Sequence, residues 1–271
     1  AYYNNLAIAH IFGGDRSEGG HLDDNVRHAI SKLAHIHFTV CEDSRDRLMH
    51  LGEEKWRVHN VGSPVVESVL EILDNYEFDL GKLIAPRKYN LLCTYHPITT
   101  EPGDAGKQFR SIINALEMLR LRLDFSCIFT YPNNEFGSEE IVKELQGLKG
   151  NENYFVFKTL GWKDYLAAMN YCNLVIGNSS SSLLEAPILG VPSLDIGTRQ
   201  KGRYSPPTVD HVESYDPEKI SFKIEQMLVR GKHHKTFPYG DGTSSAKMYG
   251  ILSSLLAEKS RREILQKRIT Y

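Results

Sequence analysis

Short apolar runs recur along this chain, and the stretches between them carry their apolar residues at helical rather than alternating spacing. Strands are expected at Leu6–Ile11, Ile36–Cys41, Trp56–Val61, Tyr89–Tyr95, Phe125–Tyr131, Tyr154–Phe157, Leu174–Gly177 and Ser193–Ile196. Helices are expected over about Asp23–Ala34, from near Asp43, and over Val66–Leu73, Gln108–Leu121, Glu139–Leu148, Trp162–Asn170, Ser181–Leu189 and Ser244–Gln266. Strands that alternate with helices imply βαβ units, so the chain reads as an α/β protein with doubly wound parallel sheets. Gly62, Ser63 and Pro64 form a turn signal suited to a domain junction. The first strand begins almost at the chain start, where a parallel strand needs neighbours, so the first sheet is expected to be small or to lack its beginning. Ligands of doubly wound sheets lie at the carboxyl ends of the strands. The loops to read are therefore those after Ile11, Tyr95, Tyr131, Leu160, Gly177 and Ile196.

Composition removes several alternatives. A formal net charge of -2 argues against a surface built to neutralise nucleic-acid phosphates. No apolar run approaches the length of a bilayer span, so no membrane partner is expected. Cys41, Cys93, Cys127 and Cys172 lie far apart in strand-like surroundings. They read as reduced core residues of a cytoplasmic protein, and their spacing suits no metal.

The segment Leu174–Thr198 carries the strongest chemical signal. A buried strand runs into Gly177, Asn178 and the serines Ser179, Ser180, Ser181 and Ser182, then straight into a helix. Hydroxyls and free N–H groups at a helix start make an anion site, and Glu185 can accept hydrogen bonds from a ribose diol. The plain alternative is a helix cap with a solvated first-turn acid. His96, in His96-Pro97-Ile98-Thr99-Thr100-Glu101, stands at a strand end, where it can contact phosphate or donate a proton. Asn133 and Asn134 follow a strand in a turn and can reach a base or sugar. Arg199, Lys201 and Arg203 follow another, as fork donors for a pyrophosphate or as a solvated loop. Near the N-terminus, Gly13 and Gly14 allow close approach. Asp15 and Glu18 follow them, and Asp23, Asp24, Arg27 and His28 gather on the next helix, with Asp24 and His28 on one face. These serve either capping or proton transfer.

The segments HIFGGD, LDDNVRHAISKLAHIHF, NVGSP, YHPITTE, YPNN, IGNSSSSLLEAPILGVPSLDIGTRQ and GDGTSS resemble, in wording and order, the hydrolysing UDP-N-acetylglucosamine 2-epimerases that open sialic acid synthesis. The resemblance implies two Rossmann-like domains of the GT-B type, the first incomplete here. Residues 1–64 would be the end of the N-terminal domain, 65–243 the nucleotide-binding domain, and 244–271 a helix returning to the first. It implies that a proton leaves the sugar C2 with the nucleoside diphosphate, and that water adds to the resulting glycal. Asp23 matches a catalytic acid, His96 the strand-end histidine, and Ser179, Ser180 and Glu185 the phosphate and ribose contacts. Phe12 stands where the sialic acid enzymes have glutamate in HIEGGE, so that role is expected to be lost or to pass to Asp15 or Glu18. A bacillosamine-type sugar or a GDP-linked substrate is a further expectation. The implied partner is an NDP-sugar bound by a homo-oligomer (dimer or tetramer), with no metal or cofactor. A non-hydrolysing 2-epimerase, a GT-B glycosyltransferase and an inactive nucleotide-sugar-binding protein are the competing readings.

Overall fold

A computed structural model describes residues 1–17, 23–101 and 103–270, the side chain of Asp23 excepted. The expected Glu18 thus lies outside the described residues. In chain order the elements are β1 (Ala9–Ile11), α1 (Asp23–Leu33), β2 (Ile36–Thr39), α2 (Glu42–His50), β3 (Val58–Asn60), α3 (Pro64–Asn75) and β4 (Tyr89–Thr94). Then come α4 (Ala105–Arg120), β5 (Phe125–Thr130), α5 (Ser138–Gly147), β6 (Tyr154–Phe157), α6 (Gly161–Tyr171), β7 (Leu174–Gly177), α7 (Ser181–Leu184) and α8 (Ala186–Leu189). The chain closes with β8 (Ser193–Ile196), β9 (Val209–Val212), α9 (Pro217–Arg230), α10 (Ser244–Glu258) and α11 (Arg261–Leu265). Among the described residues no helix is long and apolar enough to cross a membrane.

The chain divides into two compact units, one formed by the described residues up to Leu70 together with those from Phe237 onward, the other by Glu71–Thr236. In the first, β1, β2 and β3 form a parallel sheet in that order. β1 is shorter than the apolar run suggests, and Leu6 and Ile11 are exposed. The reason is position, because β1 is an edge strand that pairs only with β2 among the described residues. Ile36, Phe38 and Val61 are covered by Met248, Ile251, Leu252 and Leu255, an i, i+3, i+4, i+7 stripe on α10. The helix expected over Ser244–Gln266 is broken after Glu258. Ser260 restarts it through a capping box in which its hydroxyl accepts from Glu263 N–H and the Glu263 carboxylate accepts from Ser260 N–H.

The tail beyond α10 is anchored by one buried cation. Arg57 donates from Nη1 to the carbonyls of His35 (3.1 Å) and Ile264 (2.7 Å). Its Nη2 donates to those of Glu263 and Gln266, both at 3.0 Å. A helix end leaves its last carbonyls without intrahelical partners, and the guanidinium supplies them. Nearby, Lys267 Nζ lies 2.6 Å from the buried Glu53, and Thr270 N–H donates to Gly52 O.

The second unit holds six parallel strands in the order β6-β5-β4-β7-β8-β9. Phe109, Ile112, Leu116 and Leu119 of α4 pack on Leu91, Cys93, Cys127 and Phe129 of β4 and β5 in one continuous core. β9 and α9 are not among the elements expected from the sequence. The first is a short edge strand with two polar residues in four, and the second carries an Asp216 N-cap with proline at its first position. Strand order reverses direction between β4 and β7, which opens a crevice at their carboxyl ends.

Arg57→Met is expected to destabilise the first unit by about 3 kcal/mol, because the carbonyls at the end of α11 then lose their donors. A urea titration would show it as a lowered midpoint, and an unchanged midpoint would remove Arg57 from this role.

Candidate functional site

The crevice between β4 and β7 is shaped by what fits beside Thr94. Gly177 ends β7 at φ 126°, and a Cβ there would lie 2.1 Å from Thr94 O, so only glycine fits. The next residue, Asn178, is fully buried and joins two loops. Its Oδ1 accepts from His96 N–H at 2.7 Å, and its Nδ2 donates to His96 O at 2.8 Å. His96 in turn accepts the backbone N–H of Asn133 at Nδ1, 3.0 Å away. That bond leaves Nε2 to carry the proton of the neutral ring. One amide and one imidazole therefore join the loops after β4, β5 and β7. Asn133 Oδ1 is shielded and unpaired, whereas Asn134 is exposed.

The serines divide into two roles. Ser181 Oγ lies 2.8 Å from Tyr165 Oη and donates to Ser179 Oγ at 3.0 Å. Ser182 Oγ donates to Ser179 O at 2.7 Å, so both later hydroxyls are held inside the loop. Ser180 makes no side-chain hydrogen bond among the described residues, and Ser179 Oγ acts there as an acceptor with its own proton uncommitted. These two are the hydroxyls available to a ligand. The helix expected over Ser181–Leu189 is interrupted at Glu185, which separates α7 from α8. Pro187 has no N–H to continue the ladder and its ring crowds the preceding turn. Glu185 is therefore held at a junction and not within a first turn. Its Oε2 is shielded without a hydrogen-bond partner, and burial pushes its pKa up to about 7.

Of the cations after β8, Lys201 is exposed and pairs with Glu213 at 3.2 Å. Arg199 turns inward and is buried, its Nη1 donating to Asn178 O at 3.3 Å and its Nη2 lying 3.6 Å from Glu135. Gln200 Nε2 donates to the same carbonyl at 2.8 Å. Glu101 fastens this loop to the one after β4, accepting Thr198 Oγ1 at 2.8 Å and Gln108 Nε2 at 2.5 Å. Asn178, Tyr165 and Glu101 are absent from the sequence-derived site. Asn178 was the readable one, as an amide between a strand end and a serine run.

The candidate cluster in the first unit is built around the loop after β1. Gly14 has φ 77°, and a Cβ there would lie 2.2 Å from Ser44 O, so the loop is threaded tightly against α2. Phe12 adopts φ 67°, a left-handed conformation costly for a bulky side chain. Asp24 accepts Ser17 N–H at 2.8 Å and pairs with Arg27, whose guanidinium also donates to Asp15 O. Asp15 is buried, and His28 Nδ1 is shielded without a hydrogen-bond partner. His10, before the glycines, has its pKa lowered to about 4 by burial and by His37 and Arg27, so it is neutral at physiological pH.

Glu185 makes a prediction of its own. Its folded pKa lies above the ordinary value of 4.5, so the native state holds the proton more tightly than the unfolded chain. Stability is therefore lost as pH rises through that window, and the penalty is complete above about pH 7. Glu185→Gln is expected to be more stable than the parent by on the order of 2 kcal/mol at about pH 8, with the gap closing toward about pH 5. Thermal unfolding at the two pH values checks it, and a pH-independent gap would contradict it.

The sequence profile of the UDP-N-acetylglucosamine 2-epimerase family matches residues 1–253. The chain is 32% identical over 248 residues to UDP-N-acetylglucosamine 2-epimerase of Neisseria meningitidis serogroup B, covering 89% of this chain and 63% of that protein. It is 30% identical over 264 residues to UDP-N,N'-diacetylbacillosamine 2-epimerase (hydrolyzing) of Legionella pneumophila, covering 94% and 66%. It is 34% identical over 228 residues to GDP/UDP-N,N'-diacetylbacillosamine 2-epimerase (hydrolyzing) of Campylobacter jejuni, covering 81% and 57%. The chain thus spans between 57% and 66% of the length of these relatives. In fold, it matches Neisseria meningitidis UDP-GlcNAc 2-epimerase bound to UDP-GlcNAc with TM-score 0.76 at 18% identity, over 94% of this chain and 71% of that one. The Methanocaldococcus jannaschii UDP-GlcNAc 2-epimerase in complex with UDP-GlcNAc and UDP gives 0.74 at 21% identity, over 94% and 71%. The fold is the GT-B-like α/β fold of these enzymes, and the chain belongs to the UDP-N-acetylglucosamine 2-epimerase family.

Proposed function

We propose that this chain carries the nucleotide-gripping part of a hydrolysing NDP-sugar 2-epimerase. The substrate would be UDP-N-acetylglucosamine or a related NDP-acetamido sugar, and the product the free 2-epimer. One observation carries the reading. A half-buried carboxylate with an unpaired oxygen, Glu185, follows two uncommitted hydroxyls, Ser179 and Ser180, on a loop that Asn178 fastens to His96. An unsatisfied buried acceptor is costly unless a ligand pairs with it. A ribose diol has two donors for it, and a diphosphate has acceptors for the serine hydroxyls and loop N–H groups.

In the proposed reaction a carboxylate takes the proton from the sugar C2 while the C1–O bond breaks and the nucleoside diphosphate departs, leaving a glycal. Water then adds, its hydroxyl to C1 and a proton to C2 from the opposite face, releasing the free sugar. Asp15, Glu18 and Asp23 are the acids for the C2 proton. Arg199 and the serine loop meet the charge on the departing diphosphate. His96 Nε2 donates to the diphosphate oxygen that leaves C1, and Asn133 and Asn134 contact base or sugar. Arg27 and His28 hold the acids and the sugar in place. The hydrolysing branch is supported by the two bacillosamine-type relatives whose names carry that outcome. The enzyme acts in the cytoplasm as a homo-oligomer in this reading.

Calorimetric titration with UDP, with GDP in comparison, tests the nucleotide site. Binding is expected, weakened at least tenfold in Glu185→Ala, a loss of about 1.4 kcal/mol or more. Diol donors favour the ionised carboxylate, so affinity should rise from about pH 6 to about pH 8, with proton release on binding at the lower value. Equal affinity in the parent and Glu185→Ala would refute the assignment. In the longer protein, product analysis should find free sugar, and an epimerised NDP-sugar would overturn the hydrolysing branch.

A further inference from the structure

We propose that the recess between the Trp56 turn and the C-terminal tail of the first unit is a second anion site, built for a diphosphate group. It is independent of the nucleotide reading above, which concerns the other unit. The recess encloses about 380 Å³ and is lined by Glu54, Trp56, Arg57, Lys259, Arg262, Glu263, Gln266 and Arg268. Its four cations and two carboxylates leave a net charge of +2.

The distribution of partners matters more than the total. Glu54 is engaged within the fold through both oxygens and Glu263 through one. Glu54 Oε2 accepts Arg57 Nε at 2.6 Å and Arg268 N–H at 3.1 Å, and its Oε1 accepts Trp56 Nε1 at 3.2 Å. Glu263 Oε2 accepts the Ser260 N–H and hydroxyl at 2.9 and 2.7 Å, with Lys259 near enough to lower its pKa further. Arg57 is fully occupied by Glu54 and four carbonyls. That leaves the exposed guanidinium groups of Arg262 and Arg268, which make no hydrogen bond or ion pair among the described residues. Lys259 Nζ lies 4.6 Å from the Trp56 ring centroid, and Arg57 Cζ lies 4.0 Å from it.

Solvated basic faces are usually laced with acids at i, i+3 or i+4 that pair with them. Here Glu263 is drawn into a capping box and Glu54 into its pair with Arg57, and Arg262 and Arg268 are left lining one concavity. Guanidinium forks match phosphate oxygens bidentately, and the lysine adds a point charge. The volume exceeds what a diphosphate alone needs and lies in the range of ligand pockets. Free diphosphate and the diphosphate of a nucleotide are therefore the two sources to separate. An occupant would tie α10, α11 and the Trp56 turn together.

The test uses Trp56 as reporter. Trp56 and Trp162 are the only tryptophans, and Trp162 is half-exposed on α6, so Trp162→Phe leaves one indole. Inorganic pyrophosphate is expected to change Trp56 emission saturably, more weakly at high salt. Arg262→Glu/Arg268→Glu should weaken that response roughly tenfold or more, and Lys259→Gln by less. Equal affinity for ADP assigns the recess to diphosphate, and tighter ADP binding assigns it to a nucleotide. Glu185→Ala should leave the Trp56 response in place, which separates this site from the serine loop. A non-saturating response, or an unchanged one in the double variant with its fold intact by circular dichroism, would overturn the proposal.

Discussion

The second unit depends on the reciprocal pair between the Asn178 amide and the backbone of His96. Parallel strands deliver their loops to one edge of the sheet, and those loops carry backbone donors and acceptors that no ladder satisfies. At the reversal between β4 and β7 the problem is sharpest, because the neighbouring loops diverge to opposite faces. A primary amide matches one N–H and one C=O of His96 at once. The Asn178 carbonyl then gathers Arg199 and Gln200, and His96 gathers Asn133. Four loops take their positions from two residues, and Gly177 lets the backbone pass close enough for the pairing.

That rigidity leaves some groups deliberately unsatisfied. Ser181 is held between Tyr165 and Ser179 Oγ, and Ser182 by the Ser179 carbonyl, which holds the start of α7. Ser179 and Ser180 remain open, and Glu185 is held where Pro187 breaks the helix. A carboxylate placed there without a partner lowers stability and raises its own pKa. Sites that bind ligands carry such local costs, offset by packing elsewhere. Here the offset is a core that runs through α4, β4, β5, β7 and α9.

Much of this was readable from residues. Leu174–Gly177 and Ser193–Ile196 form strands with the expected bounds, because central parallel strands are uniform apolar runs; the edge strand Tyr154–Phe157 also keeps its bounds, its four residues all being apolar or aromatic. Edges were harder. β1 keeps only the last half of its apolar run, and β9 has too little apolar character to announce itself. Helix breaks at Glu185 and after Glu258 were missed for opposite reasons. A proline overrode a good helical pattern in one case, and in the other Ser260 and Glu263 formed a capping box inside an unbroken polar stretch. Within the candidate site, periodicity and loop wording point to His96, Glu185 and the serines. They do not say which hydroxyls are already paired, nor that Asn178 joins the loops, since both depend on contacts distant in sequence.

The most direct test is a carbon-detected magnetic resonance titration of the Glu185 carboxyl, with and without UDP. The account predicts a midpoint at about 7 in the free chain, moved clearly downward when UDP is bound. A Glu185 carboxyl that titrates at its ordinary value and is untouched by UDP would contradict it.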